Sequence, residues 1–148
     1  MTPEKTLVIM MGVQGSGKST FFAEHLAEDL VRVNLDTLKT RHRERLLVEE
    51  CLLRGVSYAV DKTNPTRAER ERYIPAARAA GYRVIGYWMR TDVPTCLLRN
   101  AGREGKARVP DVAIYATSKK FEPPMYEEGF DELYLVDQGK MGITVTPL

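Results

Sequence analysis

Short, solidly apolar runs alternate along this chain with longer segments in which apolar residues recur at helical spacing. The run TLVIMM (6–11) is β-prone and ends in a glycine-containing loop, which predicts a buried strand. In KSTFFAEHLAEDL, Phe21, Phe22, Leu26 and Leu30 fall at roughly helical intervals and predict a helix over 18–30. VRVNLD (31–36) reads as a strand ending in turn residues. The following 37–55 reads as one long helix stopped by Gly55, with Leu46, Leu47, Cys51 and Leu52 facing inward. A strand over 56–61 ends at Asp61 and passes into a polar turn. A helix over 66–81 follows, with Pro75 as a point of kinking or breakage because proline lacks the amide donor a helix interior needs. Strand 82–90, helix 92–102 with Pro94 in its first turn, a polar basic loop over 102–111, helix 111–121 and a last strand over 131–137 complete the pattern. The tail beyond 137 has no clear periodicity.

Strand and helix alternate five times, which predicts a three-layer α/β/α fold: a central parallel sheet with helices on both faces. Ligands of such sheets bind beyond the carboxyl ends of the strands. The polar segments 12–19, 34–36, 61–64 and 90–92 fall at those ends, so the topology makes them converge.

The 148 residues suit one domain spanning 1–148, with 93–120 as its helical and loop lid. The composition is globular, 43% hydrophobic and 28% charged, and the net charge of +2 is too small to name a partner. Cys51 and Cys96 lie in no metal-binding spacing and are expected to be free and buried, as in a reducing cytoplasm. No apolar run is long enough for a membrane span, and the N-terminal run is too short for a signal peptide.

The loop after the first strand carries Gly12, four residues, then Gly17-Lys18-Ser19, a P-loop. Its glycines let the backbone wrap a phosphate with amide groups inward, and the next helix adds its positive end. Gly12, Gln14, Gly15, Ser16, Gly17, Lys18, Ser19 and Thr20 are therefore candidate contacts for a nucleoside triphosphate, taken as ATP. Lys18 is placed to reach the β- and γ-phosphates, and the Ser19 hydroxyl to ligate Mg²⁺. The expected fold is thus a kinase-like P-loop NTPase.

The loop does not name an acceptor. Asp36, at the end of the second predicted strand, suits a general base that takes the proton of an attacking hydroxyl, and equally a cap for a helix starting at Thr37. Asp61 suits a metal-bound carboxylate or plain turn chemistry with Thr63, Asn64 and Pro65. Arg99 and Arg103, four apart, form either a mobile arginine pair over the γ-phosphate or a solvated face. Lys39, Arg41, Arg43 and Arg45, with His42 among them, suit a polyanionic substrate or the wet side of a helix balanced by Glu44, Glu49 and Glu50.

Taken in order, GVQGSGKST, VNLDTL, VDKTNPTRAERERYIPAARAAGY and RNAGREGKARVPDVAIYATSKKFEPPMYEEGFDEL resemble the 5′-kinase domain of polynucleotide kinases. The D-x-TNP element and the VP…F-x-P…EGF stretch are most like the kinase domain of polynucleotide kinase-phosphatases, and the likeness runs from about residue 6 to 138. The resemblance implies transfer of the ATP γ-phosphate to a 5′-hydroxyl end of DNA or RNA with Mg²⁺. It implies Asp36 as general base, Lys18 and Ser19 as phosphate and metal ligands, and Arg103, with Arg99, as lid arginines on the ATP phosphates. Asp61 and Asn64 would belong with the acceptor side. The phage-type pattern has an arginine three residues after the base, where it meets the acceptor's 3′-phosphate. Here that position is Lys39, which loses bidentate geometry, and Arg41 stands close enough in sequence to substitute. The lid is one residue longer than the phage pattern. No phosphatase motif accompanies these elements, so a separate phosphatase or ligase partner is compatible with the chain. Two other readings share the P-loop: a kinase of a small metabolite or aminoacyl-tRNA, and a nucleotide-binding module without catalysis.

Overall fold

The computed structural model describes residues 4–26, 28–139 and 142–148. Six strands form one sheet, β1 (Thr6–Met11), β2 (Val31–Val33), β3 (Tyr58–Asp61), β4 (Arg83–Arg90), β5 (Glu132–Gly139) and β6 (Gly142–Pro147), in the order β2-β3-β1-β4-β5-β6. All neighbours are parallel except β5 and β6. The chain moves from β1 toward β2 on one side and, after β3, crosses to β4 on the other, so the direction of winding reverses at β1. That reversal opens a crevice at the carboxyl end of β1, where the P-loop lies.

The solid apolar run of β1 is explained by burial on both faces, since successive side chains point to opposite sides. Leu7, Ile9 and Met11 pack with Tyr58, Val60, Val84 and Leu133, and there Cys51 of α3 (Arg41–Arg54) and Ile74 and Ala77 of α5 (Ile74–Ala79) cover the sheet. Val8 and Met10 face the other way, against Phe22 and Phe21 of α1 (Lys18–Phe21). Both cysteines are free and buried.

The helices are more broken than their periodicity predicts. The segment expected as one helix over 18–30 is α1 followed by a π-helical stretch, Phe22–Leu26. The predicted strand 31–36 stops at Val33, because the Asn34 side-chain oxygen accepts the amides of Asp36 (2.9 Å) and Thr37 (3.3 Å) and starts a short helix, α2 (Leu35–Leu38). Asn34 is therefore the cap, and the capping role considered for Asp36 is corrected. The long helix expected over 37–55 is divided at Lys39, whose φ of 72° ends α2 before Thr40 caps α3. On α3, Leu46 points outward, 49% exposed, contrary to the expected inward face. Pro75 sits in the first turn of α5, after a break that separates α5 from α4 (Arg67–Arg70). Helix α6 (Val93–Ala101) and helix α7 (Asp111–Lys120) match their predicted positions, and a single 3₁₀ turn, Gly105–Ala107, lies between them. No helix among the described residues is long and apolar enough to cross a membrane.

Candidate nucleotide and phosphoryl-transfer site

The P-loop lies between the ends of β1 and α1 and is tied down on both sides. The amide of Gly12 donates to Thr63 O (3.0 Å), and Thr91 Oγ1 donates to Ser16 O (3.1 Å). Two of its glycines are required. Gly15 (φ 82°) would place a Cβ 2.7 Å from the Cys96 carbonyl oxygen, and a Cβ on Gly17 (φ 98°) would collide with the side-chain amide of Gln138. Lys18 turns back into the loop and donates to the carbonyls of Gly12 and Val13, both at 2.9 Å. Burial disfavours its charged form and lowers its pKa to about 8, against the opposing pull of Asp61. Gln14 Oε1 is a buried acceptor without a hydrogen-bond partner among the described residues.

A cleft of about 160 Å³ opens over this loop. Gln14, Gly15, Gly17, Lys18 and Ser19 line it from the loop, Asp36 from α2, Asp61, Lys62 and Thr63 from the end of β3, and Arg103 from beyond α6. Four of the sequence-predicted centres, Lys18, Ser19, Asp36 and Arg103, thus share one cleft, and Asp61 joins them. A hollow of about 1090 Å³ lies at the opposite ends of the strands, around Thr6, Ser57 and Gly81, away from the phosphate loop.

Asp61 is the best-connected group in the cleft. Its side chain is 2% exposed, its Oδ2 accepts Ser19 Oγ (3.4 Å), and Asn34 Nδ2 donates to the same oxygen (3.4 Å). Arg32, on β2, places its guanidinium on both: Nε donates to Asp61 Oδ2 at 2.8 Å and Nη2 to Ser19 Oγ at 2.9 Å. A cationic group therefore bridges the serine hydroxyl and the carboxylate. This donor pair fits a divalent cation that takes its remaining oxygens from phosphate and water, as Mg²⁺ does. Turn chemistry alone does not account for Asp61, which ends a strand with its carboxylate aimed at the P-loop.

The other predicted residues lie elsewhere. Arg99 donates to Gly15 O (3.2 Å), bracing the loop from outside the cleft lining. Thr20 and Lys39 are exposed and outside that lining. Arg41 lines an adjoining cleft. Asn64 is buried and donates inward to Met10 O (2.8 Å), which ties the β3 loop to β1. Sequence reasoning missed Arg32 and Lys62. Lys62 was visible as the residue after the strand-end aspartate. Arg32 could have been found as the polar position between two apolar ones in VRV.

The chain matches the family model for the AAA domain over residues 7–124. It is 31% identical, over 140 residues and 90% of its length, to a protein of Acanthamoeba polyphaga mimivirus named as a putative bifunctional polynucleotide phosphatase/kinase. It is 27% identical over 128 residues, 84% of its length, to the bifunctional polynucleotide phosphatase/kinase of Schizosaccharomyces pombe. The chain spans about a third of the length of these curated relatives, 33% and 31%. In fold it is similar to a gluconokinase from Sinorhizobium meliloti 1021, with a TM-score of 0.61 at 18% identity, covering 92% of this chain and 84% of that one.

Proposed function

Because the chain belongs to the AAA domain family and has the fold of P-loop kinases, we propose that it is an ATP-dependent polynucleotide 5′-hydroxyl kinase. The observation that carries this reading is the cleft that Asp36 from α2 lines together with the P-loop lysine and serine and with Arg103. The named activity of the two relatives supports a nucleic-acid end as acceptor.

In this mechanism the 5′-hydroxyl oxygen attacks the γ-phosphorus of ATP. A new P–O bond forms to the acceptor, the bond to the β-phosphate bridging oxygen breaks, and ADP leaves. Asp36 accepts the hydroxyl proton. Lys18 and Arg103 offset the charge spread over the transferring and leaving oxygens, an electrostatic contribution strengthened by exclusion of water. Ser19 and Asp61 would hold Mg²⁺, which would neutralise charge on the β- and γ-phosphates when bound.

The test is an acceptor panel with γ-labelled ATP: 5′-hydroxyl DNA and RNA oligonucleotides, their 5′-phosphorylated counterparts, and gluconate and other small hydroxylated acceptors. Label confined to 5′-hydroxyl oligonucleotides is the expected result. Label on a small acceptor with none on oligonucleotides would replace this reading by that of a metabolite kinase.

A further inference from the structure

A second, smaller cleft of about 140 Å³ adjoins the nucleotide cleft and shares Lys62 and Thr63 with it. Arg41 at the start of α3, Lys62 after β3, and Glu69, Arg72 and Tyr73 near α4 complete its wall. Three cations thus face one carboxylate across a space of that size.

The lysine is built in rather than draped over the surface. Its Nζ donates to Tyr73 Oη (2.7 Å) and to both Glu44 oxygens (3.2 and 3.4 Å), and Tyr73 donates to Glu44 Oε1. Glu44 and Tyr73 are 6% and 5% exposed, whereas the Lys62 side chain keeps 18% exposure toward the clefts. A buried carboxylate on a helix face is costly unless paired, and here it is paired to the one charged group, among the described residues, that borders both clefts. All three N–H donors of the ammonium are thereby served, and what it presents to the clefts is its charge. Arg41 and Arg72 make no ion pair with a described residue. The cleft adjoins a groove of about 470 Å³ between α3 and α5, which shares Arg41, Arg72 and Tyr73 with it and adds His42, Arg45, Glu44 and Glu49. The shared linings set the Lys62 cleft beside both the nucleotide cleft and this groove.

We propose that the Arg41–Lys62–Arg72 cleft is an anion subsite that takes a phosphodiester of the acceptor strand while its 5′-hydroxyl lies at Asp36. The assignment rests on the polynucleotide kinase reading. Lys62 acts here as a fixed point charge, and Glu44 and Tyr73 are its positioning residues.

The experiment measures binding of a 5′-hydroxyl oligonucleotide by fluorescence anisotropy across a salt series, with steady-state kinetics on oligonucleotide and on a plain nucleoside acceptor. The variants are Arg72→Gln and the pair Lys62→Gln/Glu44→Gln, which removes the lysine without stranding a buried carboxylate. The expected result is a rise of about tenfold in oligonucleotide KM for each, and a log–log salt slope shallower by about 0.7 for each phosphate no longer neutralised. For Arg72→Gln, which lies outside the nucleotide cleft, the KM for the nucleoside and the KM for ATP stay within about twofold. Oligonucleotide KM and salt slope equal to wild type in both variants, with wild type still phosphorylating oligonucleotides, would overturn the subsite and leave the kinase reading standing. Wild type that neither binds nor phosphorylates any oligonucleotide would overturn both.

Discussion

Arg32 holds the position between Ser19 and Asp61 that the proposed Mg²⁺ would take. Its guanidinium spans Ser19 Oγ and Asp61 Oδ2, and the carboxylate is almost wholly buried. Arg32→Gln would leave that carboxylate without its cation. Because the guanidinium is itself 36% exposed, the expected cost is discounted to about 1–2 kcal/mol, or roughly 3–6 °C in melting temperature. The destabilisation should be seen in EDTA and shrink with Mg²⁺ and ATP, as a cation replaces the missing charge. Thermal melts of both proteins in the two conditions check this; equal melting temperatures in EDTA would contradict it. The P-loop residues were legible because their spacing alone defines the loop, whose backbone supplies most of the phosphate-facing groups. Asp61 was legible only as a strand-end acid, since what distinguishes it from a turn former is its hydrogen bonding with Ser19 and Arg32, 42 and 29 residues away.

At the scale of elements, motifs distant in sequence meet through one buried arginine. Arg70, at the end of α4, is fully buried, pairs with both oxygens of Glu128 (2.8 and 3.0 Å), and donates to Asn64 O (3.0 Å). The TNP turn and the EEGF segment are thereby joined, which gives these stretches a structural reason for their pattern. Arg70→Met should cost about 3–5 kcal/mol by stranding the Glu128 carboxylate, and Arg70→Met/Glu128→Leu should recover a large part of it. Urea unfolding of the three proteins measures this; a single variant within about 0.5 kcal/mol of wild type would contradict it. Strand and helix identities were readable where apolar runs were long, as in β1 and β4. The breaks were not. Asn34 ends β2 by a side-chain hydrogen bond to the following amides, and Lys39 divides the predicted long helix by adopting a left-handed conformation. β6 lacked a signal because it is an edge strand with mostly exposed side chains, so burial never patterned its sequence.

For the whole molecule, the sheet order explains why the site is where it is. Reversal of winding at β1 sets the P-loop in the crevice, β3 beside it delivers Asp61 and Lys62, and the turn after β2 delivers Asp36. In the proposed function the acceptor side would be built by β2, β3 and α3, and the nucleotide side by β1, α1 and Arg103. The general architecture followed from the alternation of strands and helices, whereas the meeting of Asp36, Asp61 and Lys62 in one cleft depended on segments brought together from separate elements. The central claim is that Asp36 is the base of a phosphoryl transfer to a 5′-hydroxyl. The most direct measurement is single-turnover transfer of γ-labelled phosphate to a 5′-hydroxyl oligonucleotide by wild type and Asp36→Asn, with ATP affinity measured in parallel. The account predicts a fall of roughly 10²–10⁴-fold in the transfer rate with ATP affinity held within about threefold. An Asp36→Asn protein that transfers phosphate at the wild-type rate would contradict it.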